Sequence, residues 1–240
     1  MSKKVDVLGI EFDHTTKEET VNTLKDDIKK NKKTFIVTAN PEIVMHAQRD
    51  PQYKKILQSA DYIMPDGIGI VMGAKLLKKP LPERIPGFDL MKDLLHIANE
   101  KHCRVFFLGA REDVLNKAIA NVKHGYPGIQ IAGYHHGFFD ENDPKIATMV
   151  KEANPDMVFV ALGFPRQERW ISQNSHLFDK GIFMGVGGSF DVLSGTVKRA
   201  PELWRKLNIE WLYRLIKQPQ RLKRMAFLPL FILKVLCSRK

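Results

Sequence analysis

The sequence predicts an α/β body, a mostly parallel sheet with helices on both faces, followed by a basic amphipathic helical appendage at the C-terminus. Three observations predict it. From residue 103 to 191, apolar runs of strand length alternate with stretches of helical periodicity, the pattern of strands joined by crossover helices. Several runs stop at a Gly, Asp or Asn just ahead of the next helix, as at 38–42, 64–67 and 162–168, so potential ligand-facing turns gather at one edge of the sheet. The charge is unevenly placed: of a net +11, residues 196–240 carry twelve Lys/Arg against two Asp/Glu, while the remainder is nearly neutral. The expected division is a Rossmann-like body over 1–195 and an appendage over 196–240.

At 240 residues and 44% hydrophobic, the chain can bury a substantial core. Two distant cysteines, Cys103 and Cys237, exclude a disulfide framework and a cysteine-based metal site. The first residues, M-S-K-K-V-D-V-L-G, lack the long apolar run of a signal peptide, so cytoplasmic residence is expected.

In chain order, Val5–Leu8 and Ile10–Phe12 read as short extended runs around Gly9. Thr15 or Thr16 stands at capping-box spacing from Glu18 and Glu19, opening a helix to about Lys30. A strand over Thr34–Thr38 meets Asn40-Pro41-Glu42, a cap followed by proline at the first helical position. A further helical stretch, about Pro51–Ser59, leads to the strand Tyr62–Met64. Asp66-Gly67 then stands between that strand and a helix over Ile68–Leu77, so Asp66 is either a helix cap or a group at a ligand-facing edge. If the strands at 34–38 and 62–64 are neighbours, Thr38 and Asn40 face Asp66 across a cleft.

Pro80, Pro82 and Pro86 make the following segment a stiff loop carrying Arg84. A helix is expected over Phe88–Lys101 and a strand over Cys103–Leu108, ended by Gly109, where a phosphate can meet helix-start amides. No G-x-G-x-x-G accompanies it, which argues against a dehydrogenase. After a strand over Ile129–Ala132, the loop G-Y-H-H-G-F-F-D holds His135 and His136, an adjacent pair without metal-ligand periodicity. A helix over Pro144–Ala153 and a strand over Met157–Leu162 follow. Gly163 ends that strand, and Gln167 and Glu168 fall in the first turn of the next helix. The last strand, Ile182–Val186, runs into a turn where Gly187 and Gly188 permit close backbone approach to a ligand, with Ser189 and Asp191 beside it.

In the appendage Leu203, Trp204, Leu207, Trp211, Leu212 and Leu215 recur at helical spacing among Arg and Lys, as in an element lying at a membrane interface. The apolar run 226–236 spans roughly 16 Å as a helix, too short to cross roughly 30 Å of hydrocarbon. It can lie on a membrane surface or pack on the body, and its exposed apolar residues can favour homo-oligomers in solution. Interleaving of basic with apolar residues disfavours nucleic acid.

The blocks T-A-N-P-E at 38–42, D-G at 66–67, R-I-P-G at 84–87, G-F-P-R-Q-E-R-W at 163–170, G-V-G-G-S-F-D-V-L-S-G at 185–195, K-R-A-P at 198–201 and E-W-L-Y-R-L at 210–215 together resemble the WecG/TagA/CpsF family of glycosyltransferases. The resemblance is strongest to the branch acting on undecaprenyl-linked intermediates of wall teichoic acid. It implies transfer of N-acetylmannosamine from UDP-N-acetylmannosamine to N-acetylglucosaminyl-diphospho-undecaprenol, without a cofactor or divalent metal, by an enzyme held peripherally at the inner face of the cell membrane. By motif, Asp66 corresponds to the general base, Thr38, Asn40, Arg84 and Gln167 to pocket positions, and Arg214, Arg221 and Arg224 to arginines that close the pocket or handle diphosphate. The glycine turns at Gly109, Gly163, Gly187 and Gly188, with Asp191, are the expected nucleotide contacts. A related transferase using UDP-N-acetylglucosamine or a mannosaminuronic acid donor, and a noncatalytic nucleotide-sugar or membrane-binding protein, are the alternatives.

Overall fold

A computed structural model describes residues 3–217, 222 and 227–238. Two short strands, β1 (Lys4–Val7) and β2 (Ile10–Asp13), pair antiparallel around Leu8-Gly9, both at positive φ. Helix α1 (Lys17–Lys29) opens on the capping box of Thr16 and Glu19. There follow β3 (Lys33–Ala39), α2 (Pro41–Ala47), α3 (Pro51–Gln58), β4 (Tyr62–Pro65), α4 (Ile68–Leu76) and α5 (Gly87–Glu100). The second half runs β5 (Arg104–Gly109), α6 (Glu112–Gly125), β6 (Gln130–His135), α7 (Pro144–Glu152), β7 (Met157–Ala161), α8 (Arg166–Asn174) and β8 (Gly181–Gly185). The chain closes with α9 (Ser189–Leu193), α10 (Glu202–Lys206), α11 (Glu210–Lys217) and α12 (Phe227–Cys237).

Six strands form one parallel sheet in the order β4-β3-β8-β7-β5-β6. Alternate strand residues enter two buried layers. Phe35, Val37 and Val158 join α2, α3, α4, α7 and α8 on one face. Ile36, Phe107 and Phe159 join α1, α5, α6 and α9 on the other. The β1–β2 pair covers the β4 side of the sheet, where Asp13 Oδ2 accepts the Ile63 amide at 2.8 Å.

Two local expectations are corrected, one in β6 and one in the appendage. Residues 133–135 belong to β6 and not to a loop; Gly133 pairs with Phe106, whose ring occupies the space a side chain would need. The expected turn after β8 is present at Gly187-Gly188 and runs on into the one-turn helix α9, which buries Phe190. The apolar periodicity of the appendage is divided between α10 and α11, because Asn208 adopts φ 59° and breaks the helix.

The appendage is packed on the body. Phe231 and Val235 of α12 are fully buried, and the Phe231 ring lies so close to Gly73 of α4 that a Cβ there would stand 2.8 Å from Cε1. Leu228 meets Gly69 in the same way, and Arg49 lies over the Phe227 ring, 5.5 Å from its centroid. The other side of α12 keeps Leu230, Leu233 and Leu236 at 46%, 59% and 46% exposure. Cys103 is buried and Cys237, at the end of α12, is exposed. Among the described residues no helix is long and apolar enough to cross a membrane.

Candidate active site

Strands β3 and β4 are neighbours in register Thr38↔Met64 and Ala39↔Pro65, which brings both strand-to-helix turns to one edge. A cavity of about 600 Å³ opens there, a volume suited to a small organic ligand. Thr38, Asn40, Asp66, Arg84, Gln167 and Arg214 all line it. The predicted nucleotide contacts Gly163, Gly187, Gly188 and Asp191 line it as well.

Asn40 caps α2 through Oδ1, which accepts the Ile43 amide at 3.0 Å. Thr38 lies against α5, its Oγ1 filling the space beside Gly87. Asp66 is not a helix cap: Gly67, at φ 95°, holds that position with no side-chain bond. Its positive φ suits glycine and releases the Asp66 carboxylate for another task. The Asp66 backbone amide is fixed to the Ala39 carbonyl at 2.9 Å, and Oδ2 accepts from the Gly87 amide at 3.4 Å. Burial pushes the Asp66 carboxyl above its ordinary value; Arg214, the Gly87 amide and Arg84 pull against that rise, and Glu210 adds to it.

Gln167 is buried and both ends of its amide are engaged. Oε1 accepts the Gly187 amide at 2.9 Å, and Nε2 donates to Glu168 Oε1 at 2.7 Å. It therefore acts as a clamp on the turn after β8. Glu168 is itself buried and accepts from Tyr53 at 3.2 Å, and burial pushes its carboxyl up.

Gly109 is placed differently from the expectation. It lies outside the cavity, at φ 124°, where a Cβ would collide at 2.4 Å with the Ala161 carbonyl group of β7. Close strand packing explains this glycine without a nucleotide. Arg221 and Arg224 lie outside the described residues. The rings of His135, at the end of β6, and of His136 lie 4.4 Å apart and tilted, and His135 Nδ1 bonds to the His136 carbonyl at 2.8 Å.

The structure adds residues to which the sequence assigned no role. Arg199 forms two hydrogen bonds to Asp89 at the start of α5, at 2.5 and 2.7 Å, and lies over the Phe88 ring. Its Nε stands 3.7 Å from Glu210, which is 5% exposed and also accepts from Arg214. Burial works against ionisation of Asp89, and the paired Arg199 outweighs it, holding that carboxyl below its ordinary value. The four-residue interval between Glu210 and Arg214 was a visible signal; Arg199 and Asp89, 110 positions apart, offered none.

A buried carboxylate beside a hydroxyl-bearing residue, three arginines and a glycine turn is an arrangement that can activate an alcohol while holding an anionic leaving group. A sequence model of the Glycosyl transferase WecG/TagA/CpsF family matches residues 5–240. The chain is 49% identical over 206 residues to an N-acetylglucosaminyldiphosphoundecaprenol N-acetyl-beta-D-mannosaminyltransferase of Bacillus spizizenii, covering 86% of this chain and 80% of the relative. It is 41% identical over 239 residues to the protein of the same description from Staphylococcus aureus, covering 99% and 94%.

Proposed function

The chain belongs to the WecG/TagA/CpsF family of glycosyltransferases, and from that premise we propose that it transfers N-acetylmannosamine from UDP-N-acetylmannosamine to N-acetylglucosaminyl-diphospho-undecaprenol in assembly of the wall teichoic acid linkage unit. The observation that carries this reading is the convergence of Thr38, Asn40, Asp66, Arg84 and Arg214 on one cavity at the ends of β3 and β4.

The reaction is a single inverting displacement. The acceptor hydroxyl oxygen bonds to the anomeric carbon, the bond from that carbon to the diphosphate oxygen breaks on the opposite face, and the hydroxyl proton passes to Asp66. One carboxylate suffices because UDP is already a good leaving group. The raised proton affinity of Asp66 makes it a stronger base than an exposed aspartate. Arg84 and Arg214 supply charge to the departing diphosphate, and the Gln167 clamp fixes the turn beside it. No divalent metal enters this scheme.

The enzyme works as a peripheral protein at the cytoplasmic membrane surface, where its lipid-linked acceptor resides. The exposed leucines of α12, with the basic surplus of residues 196–240, supply the contact.

Product analysis with the lipid-diphosphate acceptor and competing UDP-sugars tests the reading. A disaccharide-lipid bearing β-linked N-acetylmannosamine is expected. Preferential transfer of N-acetylglucosamine or a mannosaminuronic acid overturns the donor assignment, and ligand binding without a new glycosidic bond overturns the activity.

A further inference from the structure

Asp66, Arg84 and Arg214 line one cavity, yet Asp66 pairs with neither arginine. The side-chain hydrogen bond of Asp66 comes from the Gly87 amide, and among the described residues no Lys or Arg nitrogen stands within 4.0 Å of its carboxylate. A carboxylate removed from water ordinarily captures a nearby guanidinium, because the pair recovers part of the lost hydration. Arg214 is paired with a different carboxylate, Glu210.

Glu210 is itself firmly held. It precedes Arg214 by one helical turn on α11, so the two side chains share a face. On its other side stands Arg199, fixed by two hydrogen bonds to Asp89 and by the Phe88 ring. The geometry forms a chain from α5 to the cavity: Asp89, Arg199, Glu210, Arg214. Within it every arginine has a carboxylate partner, while Asp66 is left with none.

We propose that Glu210 is a positioning residue that holds Arg214 away from Asp66, keeping the base unpaired in the resting enzyme and the guanidinium available to the donor diphosphate. The clause about the diphosphate rests on the function proposed above; the resting arrangement does not. Direct pairing with Arg214 would lower the Asp66 pKa by about one to three units and weaken it as a base in proportion. Among the described residues, the charged groups that act on Asp66 are Arg84 from the proline-rich loop and Arg214 and Glu210 from α11. Those that act on Glu210 are Arg199 and Arg214, with Asp89 behind Arg199.

The test is an NMR titration of the ligand-free full-length chain labelled with ¹³Cγ-aspartate, the Asp66 signal being identified by its loss in D66N. In E210Q the released Arg214 moves to Asp66, and the Asp66 midpoint is expected to fall by about one pH unit or more. In an R214Q background the same substitution is expected to move it by less than about a third of that amount, since the competing cation is gone. An unchanged or raised midpoint in E210Q overturns the proposal. So does an equal fall in both backgrounds, which is the signature of through-space charge alone. Should E210Q not fold, E210D replaces it: the charge remains but the carboxylate is withdrawn by one methylene. A smaller fall is then expected, and an unchanged midpoint is the overturning result. Because no substrate is present, an error in the donor assignment alters the product analysis and leaves this titration untouched.

Discussion

Arg199 grips both carboxylate oxygens of Asp89, Nη1 at 2.5 Å from Oδ1 and Nη2 at 2.7 Å from Oδ2, so the first residues beyond the α/β body are fastened to the start of α5. The same helix start presents the Gly87 amide to Asp66. The fastening of the appendage and the placement of the base therefore share one structural element.

R199K keeps the charge but loses the paired geometry of the guanidinium. It is expected to lower the melting temperature by a few degrees, for a cost of about 1–3 kcal/mol, and to speed amide hydrogen exchange across residues 210–217. Thermal melts and exchange mass spectrometry check this. Unchanged exchange in 210–217 would show that the pair does not fasten α11.

D66N is expected to reduce kcat by roughly 10²–10⁴ with donor binding retained, the range for loss of a general base. In the wild type, the acid limb of kcat/KM is expected above the ordinary Asp value of 3.8, because the folded-state value is raised. The same shift gives a stability prediction. A carboxyl raised on folding costs stability as pH climbs from 3.8 through its folded-state value, so D66N is expected to melt higher than wild type at neutral pH. That advantage disappears below the unfolded-state value. A lower melting temperature for D66N at pH 7 would contradict it.

Q167A and G185A are expected to give the same kinetic defect by opposite means. The first removes the acceptor of the Gly187 amide. The second places a Cβ 2.6 Å from Gln167 Nε2 and pushes the amide away. A rise in donor KM of about tenfold corresponds to about 1.4 kcal/mol, at the low end of the cost of leaving a donor unpaired, as suits the half-buried Gly187 amide. Steady-state kinetics on both variants and the double variant is the check, and additive losses would refute the shared route.

How much of this was legible in advance follows the distance over which each feature is encoded. The Thr16 capping box, Asn40-Pro41 and the strand-to-helix turn at Asp66 are local spacings, and they placed three elements and the cavity edge correctly. The adjacency of β3 and β4, stated only as a condition, is met in the sheet. Gly109 lies outside the cavity: a glycine at a strand end looks alike in sequence whether it makes room for a phosphate or for the backbone of the neighbouring strand, and here the backbone of β7 occupies that space. The clamp made by Gln167 and the Asp89–Arg199–Glu210 chain join residues from separate elements, and such partners are fixed only by the fold.

L230S/L233S is expected to weaken binding to vesicles containing anionic lipid by roughly tenfold, each half-exposed leucine contributing about 0.7 kcal/mol, well under its full burial energy of about 1.5–3 kcal/mol. Both side chains face away from Phe231 and Val235 in the amount of surface they expose, so the melting temperature is expected to hold. Cosedimentation with and without the anionic lipid reads the effect. Undiminished binding would move the lipid contact elsewhere.

The contrast between the chain's two thiols has a practical use. With Cys103 enclosed and Cys237 accessible at the end of α12, a maleimide fluorophore or nitroxide attaches selectively to that helix in the native polypeptide. Quenching or relaxation agents dissolved in the bilayer can then measure its depth of immersion without any engineered substitution.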